Sequence, residues 1–157
     1  MDYIIREMNQ ADYPLLREFL YEAIFLPEGA ARPPKSVIDH PELQVYTADF
    51  GNQPDDIAYL AEADGQAVGA VWVRIMDDYG HVDDKTPSLA IALYKDYRGW
   101  GIGTALMKQM LRTLKEKGYG QVSLSVQKAN YAVKLYLQVG FVIIAEHDED
   151  YLMVCQL

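Results

Sequence analysis

Arg98-Gly-Trp-Gly-Ile-Gly-Thr-Ala-Leu106 is the stretch from which the fold can be read. It follows an apolar run, Ser88-Leu-Ala-Ile-Ala-Leu93, and opens a helical pattern, so it is a strand-loop-helix junction. Gly99, Gly101 and Gly103 strip Cβ atoms from the turn, which lets main chain approach a ligand closely and take up positive φ. N–H groups at a helix start lack carbonyl partners and sit at the positive end of the helix dipole, a seat for phosphate. The stretch therefore predicts a site for a phosphorylated cofactor. It is not a nucleotide-hydrolysing loop, because no Gly-Lys pair opens the helix. It is not a dinucleotide fingerprint either. Counting from Gly99 puts Thr104 at the third glycine position, and counting from Gly101 puts Leu106 there.

A second motif lies downstream. Asn130-Tyr-Ala-Val-Lys-Leu-Tyr-Leu-Gln-Val-Gly-Phe141 has a helix N-cap at Asn130 and a terminating glycine at Gly140. The spacing Arg98-x-x-Gly101-x-Gly103 resembles the acyl-CoA pyrophosphate loop of the GNAT superfamily of N-acetyltransferases, and the second motif resembles that family's late helix. The two occur in the family's order, with a strand from Gln121 to Val126 between them. The resemblance runs from about Ser88 to Phe141.

The resemblance implies an acetyl-CoA-dependent N-acetyltransferase acting on a primary amine by direct transfer. It implies that the strands Ser88 to Leu93 and Gln121 to Val126 splay apart and that the pantetheine arm lies between them. Main-chain groups of Ala92 and Leu93 would pair with the arm's amides, and an N–H near Leu93 would polarise the thioester carbonyl. Amides from Gly99 through Thr104, including those of Trp100, Gly101, Ile102 and Gly103, would hold the pyrophosphate. Arg98 heads the motif and serves either the ligand or the loop's shape. Asn130 combines helix capping with a hydrogen bond to the arm. Trp100 either packs on the adenosine end or stands on the surface.

Acetyl transfer needs a neutral amine, stabilisation of the oxyanion and a proton for the departing thiolate. Tyr136 is the candidate general acid, a phenol whose ordinary pKa near ~10 is close to that of an alkyl thiol. The alternative is a core tyrosine, one of twelve. No base is evident, since the strand Ser88 to Leu93 carries no carboxylate. Glu62, His81, Asp83 and Asp84 are the nearest candidates, each also readable as solvated surface. Without a base, an acyl-CoA-binding sensor that transfers nothing stays open as the competing class. Cys155 reads as a buried inert thiol, and nothing suggests a metal.

Composition agrees with one soluble domain spanning 1–157. Apolar runs are strand-sized, so no membrane span is expected. The start, Met-Asp-Tyr-Ile-Ile-Arg-Glu, has no signal-peptide pattern, and the lone cysteine suits a reducing compartment; the cytoplasm is expected. Net charge is −9, yet the window from Lys95 to Lys134 holds eight basic and two acidic residues. That suits a polyanionic cofactor there, although Lys108, Arg112 and Lys115 fit a solvated helix face equally well. The acidic remainder argues against nucleic acid and for a small-molecule or peptide amine of cationic character. A homodimer is compatible with the reading.

The elements alternate in order. Tyr3 to Glu7 is a strand, and Asp12 N-caps a helix to about Ala23. A second helical piece falls between Ser36 and Asp49, interrupted by Pro41. Ile57 to Ala63 and Gln66 to Met76 form a hairpin about Asp64-Gly65. After Ser88 to Leu93 comes a helix ended by Gly118, then the strand Gln121 to Val126 and the helix from Asn130. Strands Phe141 to Ala145 and Tyr151 to Gln156 close the chain. The result is an α/β fold, a mixed central sheet flanked by helices, in the order β-α-α-β-β-β-α-β-α-β-β.

Overall fold

The computed structural model describes all residues from Met1 to Leu157. Seven strands form one sheet: β1 (Tyr3–Glu7), β2 (Ile57–Ala63), β3 (Gln66–Arg74), β4 (Ser88–Leu93), β5 (Gln121–Gln127), β6 (Val142–Glu146) and β7 (Asp150–Gln156). Their spatial order is β1-β2-β3-β4-β5-β7-β6. Four helices join them: α1 (Leu15–Ala23), α2 (Pro41–Gln44), α3 (Ile102–Glu116) and α4 (Ala132–Val139). Every neighbouring strand pair is antiparallel except β4 with β5.

The sheet is covered on both faces. α1, Ile38 and Phe50 pack with Ala58, Leu60, Ala70 and Trp72 on one side. Leu106, Met107, Met110 and Leu114 of α3 pack with Val71, Val73, Val122 and Met153 on the other. β3 is therefore buried at seven consecutive positions, apolar or glycine from Val68 to Val73 and ending on the charged Arg74. The hairpin turns on Asp64 and Gly65, with φ of 54° and 75°, the left-handed pair that a two-residue turn requires.

Two expectations about the first half are corrected. The first helix begins at Leu15, not Asp12. The Asp12 carboxylate is taken by the Arg6 guanidinium at 2.6 and 3.0 Å, so the residue ties β1 to the loop while only its carbonyl starts the turn, accepting from Leu15 N–H. The second helical piece is a 3-10 turn at Lys35–Asp39 followed by the four-residue α2. Pro41 occupies the first position of α2, where its missing N–H costs nothing, so it splits the segment rather than kinking one helix.

What holds this irregular segment is a buried ion pair. Arg74, at the end of β3, donates from Nε and one terminal nitrogen to the Asp56 carboxylate at 3.1 and 2.9 Å. Its other terminal nitrogen donates to the Val45 and Ala48 carbonyls at 3.0 and 2.7 Å. Asp56 also accepts from Gly51 N–H at 2.9 Å. The Asp56 side chain is fully buried, so its charge is compensated by Arg74 and main chain, while the Arg74 guanidinium also lies over the Phe50 ring. Asp56→Asn should lower unfolding free energy by about 3–5 kcal/mol, because it strands the Arg74 charge. Replacing both residues with apolar side chains should recover most of that loss in urea denaturation.

Candidate active site

β4 and β5 are joined at one pair only, Ser88 with Ser123, where Ser123 N–H donates to the Pro87 carbonyl at 3.0 Å. Beyond it the strands part. The loop between β3 and β4 lies against this point. Ser88 Oγ donates to Asp78 at 2.8 Å, and Ser123 Oγ donates to the Gly80 carbonyl at 2.6 Å. Gly80 abuts the β5 main chain so closely that a Cβ there would stand 3.2 Å from Ser125 N.

The ladder decides which atoms face the gap. Tyr94 N–H donates to the Val68 carbonyl on the β3 side at 2.9 Å, while Pro87 faces β5. Hydrogen-bonded and non-bonded pairs alternate, so Ala90 and Ala92 turn their main-chain groups to β3, and Leu89, Ile91 and Leu93 turn theirs to the gap. Ala92, expected to offer main-chain groups to a ligand, instead spends them in the ladder. Ala92 still lines the cavity into which the gap opens, and Ile91 and Leu93 are the residues whose main-chain groups face the gap.

The gap opens into a cavity of about 900 Å³ lined by Ile91, Leu93, Arg98, Gly99, Gly101, Gly103, Thr104, Asn130 and Tyr136, with α1 and the segment after it on the far side. Gly99 and Gly101 have φ of 83° and 84°, and nothing lies within 4 Å of where their Cβ atoms would be. Ala105 N–H is the first to bond back into α3, to the Gly101 carbonyl at 3.1 Å. The amides of Ile102, Gly103 and Thr104 thus have no partner within the helix. This open cradle of amides at a fifteen-residue helix fits a diphosphate.

Other predicted residues fall differently. Arg98 Nε donates to the Leu93 carbonyl at 3.1 Å, which fixes the loop to β4. Trp100 is 55 % exposed and Ile102 is buried in the core, so neither side chain lines the cavity. Of the basic window, Lys95, Arg98 and Lys134 line it. Lys108, Arg112 and Lys115 are exposed on α3 and absent from it. Asn130, expected as the N-cap of α4, stands one residue before the observed N-cap Tyr131; its Oδ1 accepts from Ala132 N–H at 2.9 Å in a local turn, and it lines the cavity.

Tyr136 is held from both ends. Its carbonyl accepts from Phe141 N–H at 3.0 Å and Gly140 N–H bonds to Leu137, a left-handed glycine closure with φ of 112° at Gly140. Its ring packs on Phe141 at 6.0 Å. Burial, more than any neighbour, pushes its phenol up to about 12, above the ordinary value on which its candidacy as an acid rests. None of Glu62, His81, Asp83 and Asp84 lines the cavity. Glu62 is bound to Arg6, His81 Nδ1 lies 2.8 Å from the Met76 carbonyl, and Asp83 accepts from Lys85 N–H. Cys155 is buried against Gly140, and burial raises its thiol pKa.

Comparison with known proteins agrees with this geometry. The acetyltransferase (GNAT) family matches residues 17–141. The chain belongs to that family and is an acyl-CoA-dependent acetyltransferase with an amine as acceptor. It is 31% identical to an N-alpha-acetyltransferase of Sulfurisphaera tokodaii over 63% of this chain and 68% of that one. It is 34% identical to a mycothiol acetyltransferase of Corynebacterium aurimucosum over 60% of this chain but 33% of that protein. The fold superposes on the PaiA N-acetyltransferase of Thermoplasma acidophilum, solved with coenzyme A, with a TM-score of 0.72, 20% identity and full coverage of both chains. No helix is long and apolar enough to cross a membrane.

Two outcomes are expected at this site. Gly101→Val places a branched side chain at a left-handed φ in the open cradle and should weaken CoA binding severely, as read by calorimetry on folded protein. Separately, the folded-state phenol of Tyr136, about 12, lies above its unfolded value near 10. Its stabilisation is complete below the unfolded value and lost as pH rises through the folded one, by at most about 3 kcal/mol. Tyr136→Phe should flatten that part of the alkaline stability profile.

Proposed function

We propose that residues 1–157 form a single N-acetyltransferase domain in which Tyr136 serves the leaving sulfur and the gap between β4 and β5 holds the donor. The observation that carries this reading is the position of Tyr136. It lines the large cavity and also a second one of about 380 Å³ on the far side of Ile91, so it stands where donor and acceptor would meet.

Acetyl-CoA supplies the acetyl group as a thioester. The Ile91 and Leu93 amides orient the donor's arm, and the N–H near Leu93 polarises its carbonyl. The amides of Gly99 through Thr104 seat the diphosphate, with Lys95 and Lys134 adding positive charge. Tyr136 Oη remains protonated across the neutral range. With its phenol at about 12 it is a weaker acid than an ordinary tyrosine, so it acts as a hydrogen-bond donor that stabilises negative charge as it forms on sulfur. The acceptor is a small-molecule or peptide amine carrying positive charge, drawn by the acidic remainder of the surface. The lone cysteine suits the cytoplasm. Edge strand β6 leaves Val142, Ile143 and Ile144 exposed, the surface we assign to a homodimer.

Thiol release from acetyl-CoA across a panel of amines tests the reading. Tyr136→Phe should lower kcat by ~10²-fold while CoA affinity is kept. Wild-type turnover in that variant would return Tyr136 to the core. In the same assay a cationic amine should outperform an anionic one, and its advantage should shrink as salt rises.

A further inference from the structure

The gap has a second open edge, on β5. Ser123 N–H reaches across to Pro87 at 3.0 Å, and Lys128 N–H reaches the other way, to the Glu149 carbonyl just before β7 at 2.9 Å. Main-chain direction alternates along the strand. Val122, Leu124 and Val126 therefore spend their groups on β7, whereas Ser125 and Gln127 turn theirs to the gap. Gly80 lies over the Ser125 amide, which leaves the Ser125 carbonyl and the Gln127 N–H with no strand beside them. Both residues line the second cavity, across the gap from Ile91. The donor's arm is matched to the β4 edge, so this pair of groups is spare. One residue of an extended chain lying beside Val126 would donate its N–H to Ser125 and accept from Gln127, as in a parallel ladder.

The walls also limit which amine can react. No histidine lines either cavity, and of the two carboxylates that do, Glu22 is held by Arg32 at 3.0 Å and Asp150 has one oxygen buried. Such a site is poorly equipped to strip a proton from a strongly basic amine. An alkyl or lysine amine, with an ordinary pKa near ~10.4, is neutral in fewer than about one molecule in a thousand at pH 7. A peptide α-amine, near ~8, is already neutral in roughly one in ten. We infer that the acceptor is the α-amine of a peptide, whose second residue lies beside Val126 on the β5 edge. This rests on the acetyltransferase reading and names its substrate class. The neutral α-nitrogen attacks the thioester carbonyl, the C–N bond forms as the C–S bond breaks, and the proton shed by nitrogen ends on sulfur. The products are the acetylated peptide and the free CoA thiol.

The test uses the wild-type protein, acetyl-CoA and four tripeptide amides, Ala-Leu-Lys, Ser-Leu-Lys, Met-Leu-Lys and Phe-Leu-Lys, beside hexylamine and spermidine. Each tripeptide carries an α-amine and a lysine ε-amine in one molecule, and fragmentation mass spectrometry reports which is acetylated. At pH 7 the α-product should exceed the ε-product by at least ~100-fold for the peptides that turn over. Their kcat/KM should rise with pH and level off near ~8, where the α-amine is neutral. An ester in place of the first peptide bond removes the N–H meant for Ser125, and should raise KM by ~3- to 10-fold. Acetylation at the lysine ε-amine, faster turnover of hexylamine or spermidine than of every tripeptide, or an ester that matches its amide in KM would each overturn the inference. Turnover of the simple amines alone would do so while leaving the acetyltransferase reading intact, whereas no turnover of any amine would sink both.

Discussion

Everything about the site follows from the parting of β4 and β5. A sheet normally satisfies the main-chain groups of both strands, and a ladder abandoned after Ser88 and Ser123 leaves two facing edges unpaired. Such edges inside a protein have to be met by water or by a ligand able to hydrogen-bond like a strand. The pantetheine arm of a thioester donor has amides of that kind. The separation is secured from outside the gap, by Gly80 against the β5 main chain and by the serine hydroxyls that bind the loop to both strands.

The donor and acceptor halves are built differently. The donor half comes from contiguous chain: a strand, a glycine loop and a helix whose first amides face outward. α4 adds Tyr136, fixed through its own carbonyl by a glycine closure, and α1 with the segment after it closes the far side. The acceptor half is assembled from α1, the irregular stretch before β2, the loop before β4, and the start of β7. That stretch has little regular hydrogen bonding of its own, and Arg74 supplies the missing partners to Val45, Ala48 and Asp56. A buried ion pair of this type contributes little net stability over an apolar pair of the same volume. Its guanidinium bonds to Val45, Ala48 and Asp56 at once and so ties the end of β3 to the irregular stretch at two places.

Charge is divided along the same line. The basic window delivers Lys95, Arg98 and Lys134 to the donor cavity, whereas its exposed lysines on α3 belong to the helix surface. Arg98 binds the Leu93 carbonyl, so the motif's first residue shapes the loop that presents the amides. The second cavity is lined by one charged residue, Asp150, among apolar, tyrosine, serine and amide side chains.

The sequence by itself determined what depends on local chemistry. Glycines at 99, 101 and 140 are legible because each occupies a left-handed φ that other residues avoid, and Asp64-Gly65 because a two-residue turn demands it. Strand periodicity then yielded the elements of the sheet, and the resemblance of the two motifs to the acetyltransferase family implied the cofactor and singled out Tyr136. Only the tertiary structure decided the remainder. Whether Ile91 or Ala92 faces the gap depends on the phase of the β3 ladder, which composition does not encode. Asp12 looked like a cap because nothing nearby in sequence reveals Arg6 as its partner. Asp150 sits in an acidic turn, Glu146-His-Asp-Glu-Asp150, where it resembles its solvated neighbours. Its difference is that β7 starts there and buries one of its carboxylate oxygens. Burial of a charge is a property of assembled surfaces, so no reading of the chain alone could separate that carboxylate from the others.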